Sequence, residues 1–337
     1  MTSAFITLDT HTAAEPPVLS SYADYLQHLD GLLNPVFVPS PTQPLDHTAL
    51  RASGDELSFA SGHATNPSAA QRAQSLQSPL PSYKIGQQFS DFAGAPTMRV
   101  LPPGALRMGA GAADTDAQAF ERPARDVLLA YPLAVSVSPV TFDQWDACLA
   151  DDGTRHNPSD AGWGRALRPV INVSWYDAQE YVAWLARKTG HPYRLLSEAE
   201  WEHAFWARQP QTARFPWGHD HDLRQLRHHA WYDANAQRRS QPVGQLAANP
   251  WQLVDLLGNV GEWVEDAFAF DLSSNPANGQ SQQADTTAAM RVIKGGSWLS
   301  QARGLRPSAR DRHSPHHGNY STGFRVAMSI DPCQITA

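Results

Sequence analysis

The tryptophans of this chain are confined to one stretch, which restricts where a packed domain can form. All 11 lie between Trp145 and Trp298, and the first 144 residues contain none. Residues 35–81 are instead rich in Pro, Ser, Gln, Ala and Thr, a composition typical of a poorly ordered arm or linker. We therefore predict an N-terminal arm or linker over residues 1–88, a domain over residues 89–330 and a short tail over residues 331–337.

One segment of the arm has the spacing of an amphipathic helix. Tyr22, Tyr25, Leu26 and Leu29 would share one face of it. We expect a short docking helix that either covers the main domain or engages a partner.

Charge, hydropathy and cysteine content exclude several classes of protein. The formal net charge of −7 argues against binding nucleic acid, and the chain lacks the run of roughly 18 apolar residues needed to span a bilayer. Cys148 and Cys333 are too far apart in sequence to indicate a disulfide framework or a zinc site. With no secretory signal in view, we expect a cytoplasmic protein, and export by a signal-independent secretion system stays open.

Local patterns in the second half predict a mixture of helices and strands. Residues 98–101 form an expected strand that ends at a Pro-Pro-Gly turn and continues at residues 106–109. Three capping boxes, beginning at Thr141, Ser174 and Ser197, predict helices with apolar inner faces. Few helices among many short, turn-rich segments predict an irregular, loop-rich α+β domain.

A series of motifs occurs in a fixed order along this domain. They are MRVLPPGALRMG (98–109), PVINVSWYDAQEYVAWL (169–185), YRLLSEAEW (193–201), FPWG (215–218), PVG (242–244), LVDLLGNVGEW (253–263), GGSW (295–298) and GFR (323–325). In this order they resemble the formylglycine-generating enzyme (sulfatase-modifying factor) superfamily, which implies an elaborated C-type-lectin fold with an N-terminal extension here. That superfamily includes formylglycine generators, other oxidases, accessory proteins and variable binding proteins, so the resemblance implies architecture more than activity.

The cysteine pair of the formylglycine generators is absent. In those enzymes, two cysteines between the Gly-Gly-Ser turn and a series of arginines bind copper, for which thiolates are suited. Here no cysteine occurs from residue 290 to residue 326. We therefore expect no copper-dependent maturation of sulfatases, neither iron nor copper as a cofactor, and assign no catalytic residue.

The resemblance also implies a structural calcium ion. Its ligands would be the carboxylates of Asp255 and Glu262 and the carbonyl oxygens of Gly258 and Val260, and hard oxygen donors suit Ca²⁺. The alternative is that Asp255 and Glu262 pair with arginines and bind no ion. Gly261 stands where the family usually has tryptophan, and we expect it to open space beside the site.

The segment that follows the Gly-Gly-Ser turn predicts a recognition surface. Polar, aromatic and guanidinium side chains occur together there, as in many interfaces, although a Trp-rich core could have the same composition. The expected ligand-binding residues are Ser297, Trp298, Arg303, Arg312, His313, Asn319 and Tyr320, on loops that face outward. We expect the remaining arginines of the series, Arg306, Arg310 and Arg325, to pair with Asp255, Glu262, Glu265 or Asp266.

His313, His316 and His317 could instead indicate a metal site. Pro315 favours an exposed loop in that segment, and spacing by itself is weak support for a metal. The alternative to a metal site is an exposed turn that is rich in histidine.

Two functions from different classes remain open at this stage. The first is a ligand- or protein-binding accessory protein that acts through the 298–322 surface, with the N-terminal arm docking a partner. The alternative is a metal-dependent oxidase or hydroxylase of the non-haem iron type, with a site near Ser297, Trp298 and His313. A third hypothesis is an accessory protein of a secretion system.

Overall fold

A computed structural model of the chain describes residues 81–211, 213–218, 223–283 and 289–336. These residues form short helices and strands joined by long loops, which confirms the predicted α+β class. The predicted docking helix at residues 22–29 and nearly all of the predicted arm lie outside the described residues. The boundary between arm and domain therefore stays a prediction.

Three of the four α-helices in the described residues begin where the capping boxes predict. Their bounds are Phe142–Ala150 (α1), Trp175–Thr189 (α2), Glu198–Trp206 (α3) and Leu226–His229 (α4). The side chains of Thr141, Ser174 and Ser197 accept hydrogen bonds from the first turns of α1, α2 and α3. Gly190 ends α2 in the left-handed conformation, at φ 75°, which glycine adopts without the penalty that a Cβ would impose.

The strands of the described residues are short. Their bounds are Tyr83–Lys84 (β1), Gln88–Phe89 (β2), Met98–Leu101 (β3), Gly104–Met108 (β4), Arg125–Leu129 (β5), Leu133–Ser136 (β6), Tyr193–Leu195 (β7), Ala230–Trp231 (β8), Leu257–Gly258 (β9), Gly261–Ala267 (β10), Arg291–Lys294 (β11), Arg310–His313 (β12), Thr322–Phe324 (β13), Val326–Ser329 (β14) and Ile335–Thr336 (β15). The predicted strand at residues 98–101 is β3. The segment after the turn, β4, pairs with β5 in a separate sheet.

Two larger sheets organise the domain. One is antiparallel with the order β2-β3-β6-β14-β7, and the other has the order β12-β11-β10-β13, in which β10 and β13 are parallel. The late strand β14 lies between β6 and β7, so residues far apart in sequence must meet before the first sheet is complete. The segment from β13 to β14 links the two sheets directly.

The tryptophans fill the core, as their distribution predicts. Trp145 stacks on Tyr181 with ring centroids 5.7 Å apart, and Phe324 packs edge-on against both rings. In a second cluster, Trp201 stacks on Phe205 of the same helix. Both clusters are fully buried, and aromatic pairs in such arrangements contribute beyond the area they bury.

Helix α3 differs from its predicted one-sided burial, because its carboxylates are buried as well. Glu198, Glu200 and Glu202 each expose 1% or less of their surface. Each carboxylate is paired with a cation: Lys294 Nζ lies 3.2 Å from Glu198 and 3.0 Å from Glu202, and Arg194 pairs with Glu200. Charged residues can occupy these positions only because they are paired.

One buried ion pair joins Arg325 to Glu262. Arg325 donates from Nε and from Nη2 to the two Glu262 oxygens, each at 2.7 Å, and Trp201 Nε1 donates to the same carboxylate. The predicted pairing of Arg325 is thus correct. The predicted partners of the two other arginines are wrong. Arg306 pairs with Asp114 and Glu121 of the segment before β5, and Arg310 pairs with Glu198 of helix α3, because these two elements pack against residues 306–310.

None of the helices within the described ranges has both the length and the apolar character to cross a lipid bilayer.

The Arg325–Glu262 pair provides a test of this packing. Arg325→Met keeps most of the side-chain volume but leaves the Glu262 carboxylate buried and unpaired, so we expect a loss of roughly 3–5 kcal/mol in the free energy of unfolding. Urea denaturation of purified protein measures it.

The control is Arg107→Met, which breaks the exposed ion pair with Asp126 at 3.1 Å. We expect it to lower the free energy of unfolding by less than about 1 kcal/mol. Equal losses in the two variants would show that the buried pair does not stabilise the domain.

Candidate functional site

The Gly-Gly-Ser turn after β11 requires its glycines. Gly295 and Gly296 have φ values of 86° and 66°, in the left-handed region that glycine favours. A Cβ on Gly295 would also lie 2.6 Å from the carbonyl oxygen of Leu256. Ser297 then closes the turn, because its N–H donates to Ser300 Oγ at 2.9 Å. The turn therefore has a fixed shape, and it carries Trp298 to the edge of the domain.

Three aromatic rings meet beside this turn and form what we call the aromatic cluster: Trp163, Trp298 and Tyr320. Trp163 packs edge-on against Trp298 at 5.3 Å, and Tyr320 lies 5.8 Å from Trp298 and 6.4 Å from Trp163. The indole N–H of Trp298 donates to the carbonyl oxygen of Tyr320. The prediction that Trp298 faces outward is wrong, since only 6% of it is exposed; Tyr320 does face outward, with 50% exposed.

Asn259 positions the cluster, and sequence reasoning missed it. Its carbonyl oxygen accepts a hydrogen bond from the N–H of Trp298 at 3.0 Å. Its buried side chain is held in turn by the backbone of Gln241, through bonds of 2.8 and 3.0 Å. Asn259 has φ 56°, a conformation that asparagine tolerates better than most residues. The Gly-Asn dipeptide was the available signal, but it indicates a turn without revealing what the turn holds.

A polar cavity of about 480 Å³ lies on the other side of the turn, and we call it the arginine cavity. Arg303 of the predicted surface lines it, together with Ser300, Arg306 and Arg310. Arg303 itself is exposed, whereas Arg306 and Arg310 are buried. Part of the remaining wall comes from residues 115–121, a segment that the sequence did not connect with the site.

The other predicted surface residues have different neighbours. Arg312 and His313 lie on strand β12, not on a loop, because the segment pairs with β11 in antiparallel register. Arg312 packs its guanidinium over the Phe120 and Phe268 rings at 5.0 and 4.8 Å. Asn319 Oδ1 accepts hydrogen bonds from the N–H and hydroxyl of Ser321, so its side chain shapes the loop. Of the seven predicted residues, the structure thus brings Trp298 and Tyr320 together.

The predicted calcium ligands are arranged around protein partners. Both oxygens of Glu262 accept hydrogen bonds from Arg325, and Asp255 Oδ2 accepts one from the N–H of Gly244 at 2.8 Å. Burial raises the pKa of Asp255 to about 6, so its carboxyl is still mostly ionised at neutral pH. A calcium ion at Glu262 would have to share the carboxylate with Arg325 and Trp201, which already donate to it. Calcium binding by Asp255, Gly258, Val260 and Glu262 stays a prediction.

The expected space beside Gly261 does not exist. A Cβ on this residue would lie 2.7 Å from Cγ2 of Ile293, which fills the volume. The prediction treated the missing side chain as a vacancy, but a neighbouring strand packs against the bare backbone.

The histidine segment has aromatic neighbours. His316 lies 4.8 Å from Tyr176 between ring centroids, and His313 lies 6.3 Å from Trp263. Across the parts of the chain that the structure describes, no group of three or more His, Cys, Asp or Glu side chains is arranged to hold a metal ion.

Buried carboxyl groups behind the site were also missed. Burial and the neighbouring Glu198 raise the pKa of Asp266 to about 8, and burial raises the pKa of Glu202. The helix pattern identified α3, but it could not reveal that loops cover its polar face. Glu202 reaches a second cavity of about 430 Å³, lined also by Trp206 and Arg214.

Comparison with known proteins agrees with this architecture. The family model described as "Sulfatase-modifying factor enzyme 1-like domain" matches residues 85–330. The solved structure of PvdO from Pseudomonas aeruginosa is 30% identical, with a TM-score of 0.68, and the match covers 74% of this chain and all of that one.

Two curated relatives match about half of this chain. Formylglycine-generating enzyme of Thermomonospora curvata is 33% identical over 177 residues, 48% of this chain and 56% of that protein. Serine/threonine-protein kinase pkn1 of Chlamydia caviae is 34% identical over 168 residues, 50% of this chain and 25% of that protein. Since the chain spans only about half or less of these relatives' length, their activities are not carried over with the match.

Calcium binding can be tested by removing the ion. Because protein donors already satisfy Glu262, we expect the Tm of the full chain to be the same in EGTA and in millimolar calcium. Differential scanning fluorimetry measures it.

Asp255→Asn is the matched variant, since asparagine tolerates the left-handed backbone at φ 54° and retains an oxygen acceptor for Gly244. If calcium raised the Tm of the unmodified chain by several degrees but did not raise that of Asp255→Asn, the predicted calcium site would be supported. That result would contradict the expectation that protein donors already satisfy Glu262.

Proposed function

This chain belongs to the sulfatase-modifying factor family, and we propose that it is a member that binds another protein through its aromatic cluster and does not mature sulfatases. The observation that carries this proposal is the cluster itself, in which Trp163 and Trp298 support the exposed ring of Tyr320. The family and the fold are established by the match over residues 85–330.

The two cysteines do not supply the chemistry of the formylglycine generators. The segment between the Gly-Gly-Ser turn and Arg306 contains Ser300 and Leu305 but no thiol. Burial raises the pKa of Cys148 to about 12, so that its thiol is protonated at neutral pH. Cys333 follows the last strand of the five-stranded sheet and is exposed. Because copper(I) prefers thiolate ligands, this set of residues supports a role other than copper-dependent oxidation.

The chemistry of the cluster favours a protein as the occupant. Tyr320 is 50% exposed although it packs beside Trp163 and Trp298, and Leu299, the residue after Trp298, is 47% exposed. Aromatic residues are enriched at the centres of protein interfaces, where each can contribute much of the binding energy. Trp298 is held in advance by Asn259 and by Tyr320, so binding would not have to order it.

The non-haem iron oxidase or hydroxylase remains the second candidate, because the family resemblance includes oxidases. Its test is metal analysis of protein purified without chelator, together with measurement of dioxygen consumption in the presence of a thiol-bearing peptide. Stoichiometric iron or copper with consumption of dioxygen would replace the binding proposal. Cytoplasmic location and docking by the N-terminal arm stay predictions.

The binding role is tested by substitution at the exposed ring. Immobilised full-length chain is used to capture partners, and the species retained is then purified and titrated by biolayer interferometry. We expect Tyr320→Ala to weaken that complex by about tenfold or more, because an exposed anchor ring is lost while the Trp298 hydrogen bond to the backbone remains.

Phe270→Ala is the matched control. Phe270 is an aromatic residue of similar exposure, at 49%, and its ring packs against Phe268. Unchanged binding by Tyr320→Ala, or an equal loss in the Phe270 variant, would show that the aromatic cluster is not the interface.

A further inference from the structure

We propose that the arginine cavity is a binding site for a small carboxylic acid, held by Arg310 at its base and by Arg303 at its mouth. The cavity is separate from the aromatic cluster in its lining, and this inference does not require that the cluster binds a protein.

The first argument comes from an unpartnered donor. The Arg310 side chain is fully buried, and its other nitrogens are satisfied: Nε donates to Glu198 at 2.7 Å, and Nη1 donates to the carbonyl oxygens of Phe120 and Ala269. Nη2 is buried and has no hydrogen-bond partner among the described residues. Because a buried N–H without a partner is costly and rare, an acceptor at this position would stabilise the domain. Arg310 is among the residues that line the cavity, and we therefore place the missing acceptor there.

The second argument is that the guanidinium of Arg303 is unpaired among the described residues. Its guanidinium makes no ion pair or side-chain hydrogen bond with the described residues, whereas its carbonyl oxygen accepts bonds from Arg306 and Arg214. The backbone of Arg303 is therefore fixed while its charged group stays available at the cavity mouth. Ser300 adds a hydroxyl, whose oxygen already accepts from Ser297 and whose hydrogen is left for another acceptor.

The acidic side chains of the lining do not cancel these donors. Both oxygens of Glu121 accept from Arg306, and Asp116 pairs with Arg214 at 2.7 Å. Asp311 is exposed at the rim, and one of its oxygens accepts the N–H of Arg312. The two inner carboxylates are thus neutralised by other arginines, which leaves Arg303 and the free N–H of Arg310 for an incoming anion.

The size of the arginine cavity and the charge of its lining favour a ligand with one carboxylate over a phosphate. A cavity of about 480 Å³ falls in the usual range for small-molecule sites. Gly296 and Gly304 contribute no side chains to its wall, and a Cβ on Gly304 would meet nothing closer than 4.0 Å. A phosphate dianion would need more donors than one free guanidinium and one N–H, and it would lie near the three acidic side chains. A carboxylate accepts from guanidinium groups with a single negative charge.

The experiment compares an acid with its neutral analogue on the full chain. The probe is N-acetyl-L-alanine, and the analogue is N-acetyl-L-alaninamide, which has the same shape without the charge. We expect saturable binding of the acid in isothermal titration, with a dissociation constant on the order of 1 mM or tighter, and no binding of the amide. Inorganic phosphate, measured in the same way, should bind more weakly than the acid.

Arg303→Gln should weaken binding of the acid about tenfold, because it removes a charge-assisted hydrogen bond at an exposed position without disturbing the core. Arg107→Gln, an exposed arginine outside the cavity lining, is the matched control and should bind as the unmodified chain does. Tyr320→Ala should also leave acid binding unchanged, which keeps this test independent of the proposed protein interface.

Three outcomes would overturn the proposal: no saturable binding of the acid, equal binding of acid and amide, or equal affinity in Arg303→Gln and the control. Tighter binding of phosphate would assign the cavity to a different oxyanion. Unchanged Tm values for the variants establish that each of them is folded.

Discussion

The described domain depends on the buried guanidinium of Arg325. It bonds to Glu262 on β10, to the carbonyl oxygen of Ser136 at the end of β6, and to that of Val254 in the loop before β9. Arg325 also lies between β13 and β14, which belong to different sheets. One side chain thus connects both sheets to the loop that precedes the site. A buried pair of this kind gains little over apolar packing, but losing one partner is costly.

The position of the candidate site follows from that connection. Glu262 lies three residues after Asn259, and Asn259 holds Trp298 through its carbonyl oxygen. Gly258, immediately before Asn259, donates its N–H to the carbonyl oxygen of Gly295 and so fixes the Gly-Gly-Ser turn. The segment from Gly258 to Glu262 therefore connects the buried Arg325–Glu262 pair to the Gly-Gly-Ser turn. That turn contributes to both the aromatic cluster and the cavity wall. A loop supported in this way can present a binding surface without regular secondary structure.

Cationic side chains that are paired with carboxylates stabilise the fold, whereas those with an unpaired N–H can bind a ligand. Lys294 and Arg306 are buried and fully engaged by carboxylates, so they stabilise the domain and offer nothing outward. Arg303 is exposed without a described partner, and Arg310 has one free N–H although the rest of it is paired. These three arginines and one lysine look alike in sequence. Only their neighbours in space distinguish a structural cation from a ligand-binding one.

The sequence determined the elements that depend on residues close together in the chain. The helices beginning after Thr141, Ser174 and Ser197 were predictable because a capping box is complete within four residues. The ordered motifs were sufficient for the family and the α+β class. The absence of cysteine after the Gly-Gly-Ser turn was equally visible without a structure.

Tertiary structure decided everything that depends on residues far apart in the chain. Trp163 and residues 115–121 complete the site from well before it in sequence, and no local pattern linked them to Trp298 or Arg303. Arg306 pairs with Asp114 and Glu121 and not with the carboxylates expected from the sequence. Ile293 fills the space expected beside Gly261. The physical reason is the same in each case. Hydrogen bonding and steric exclusion act over a few ångströms in space, and separation along the chain does not reveal which groups come within that distance.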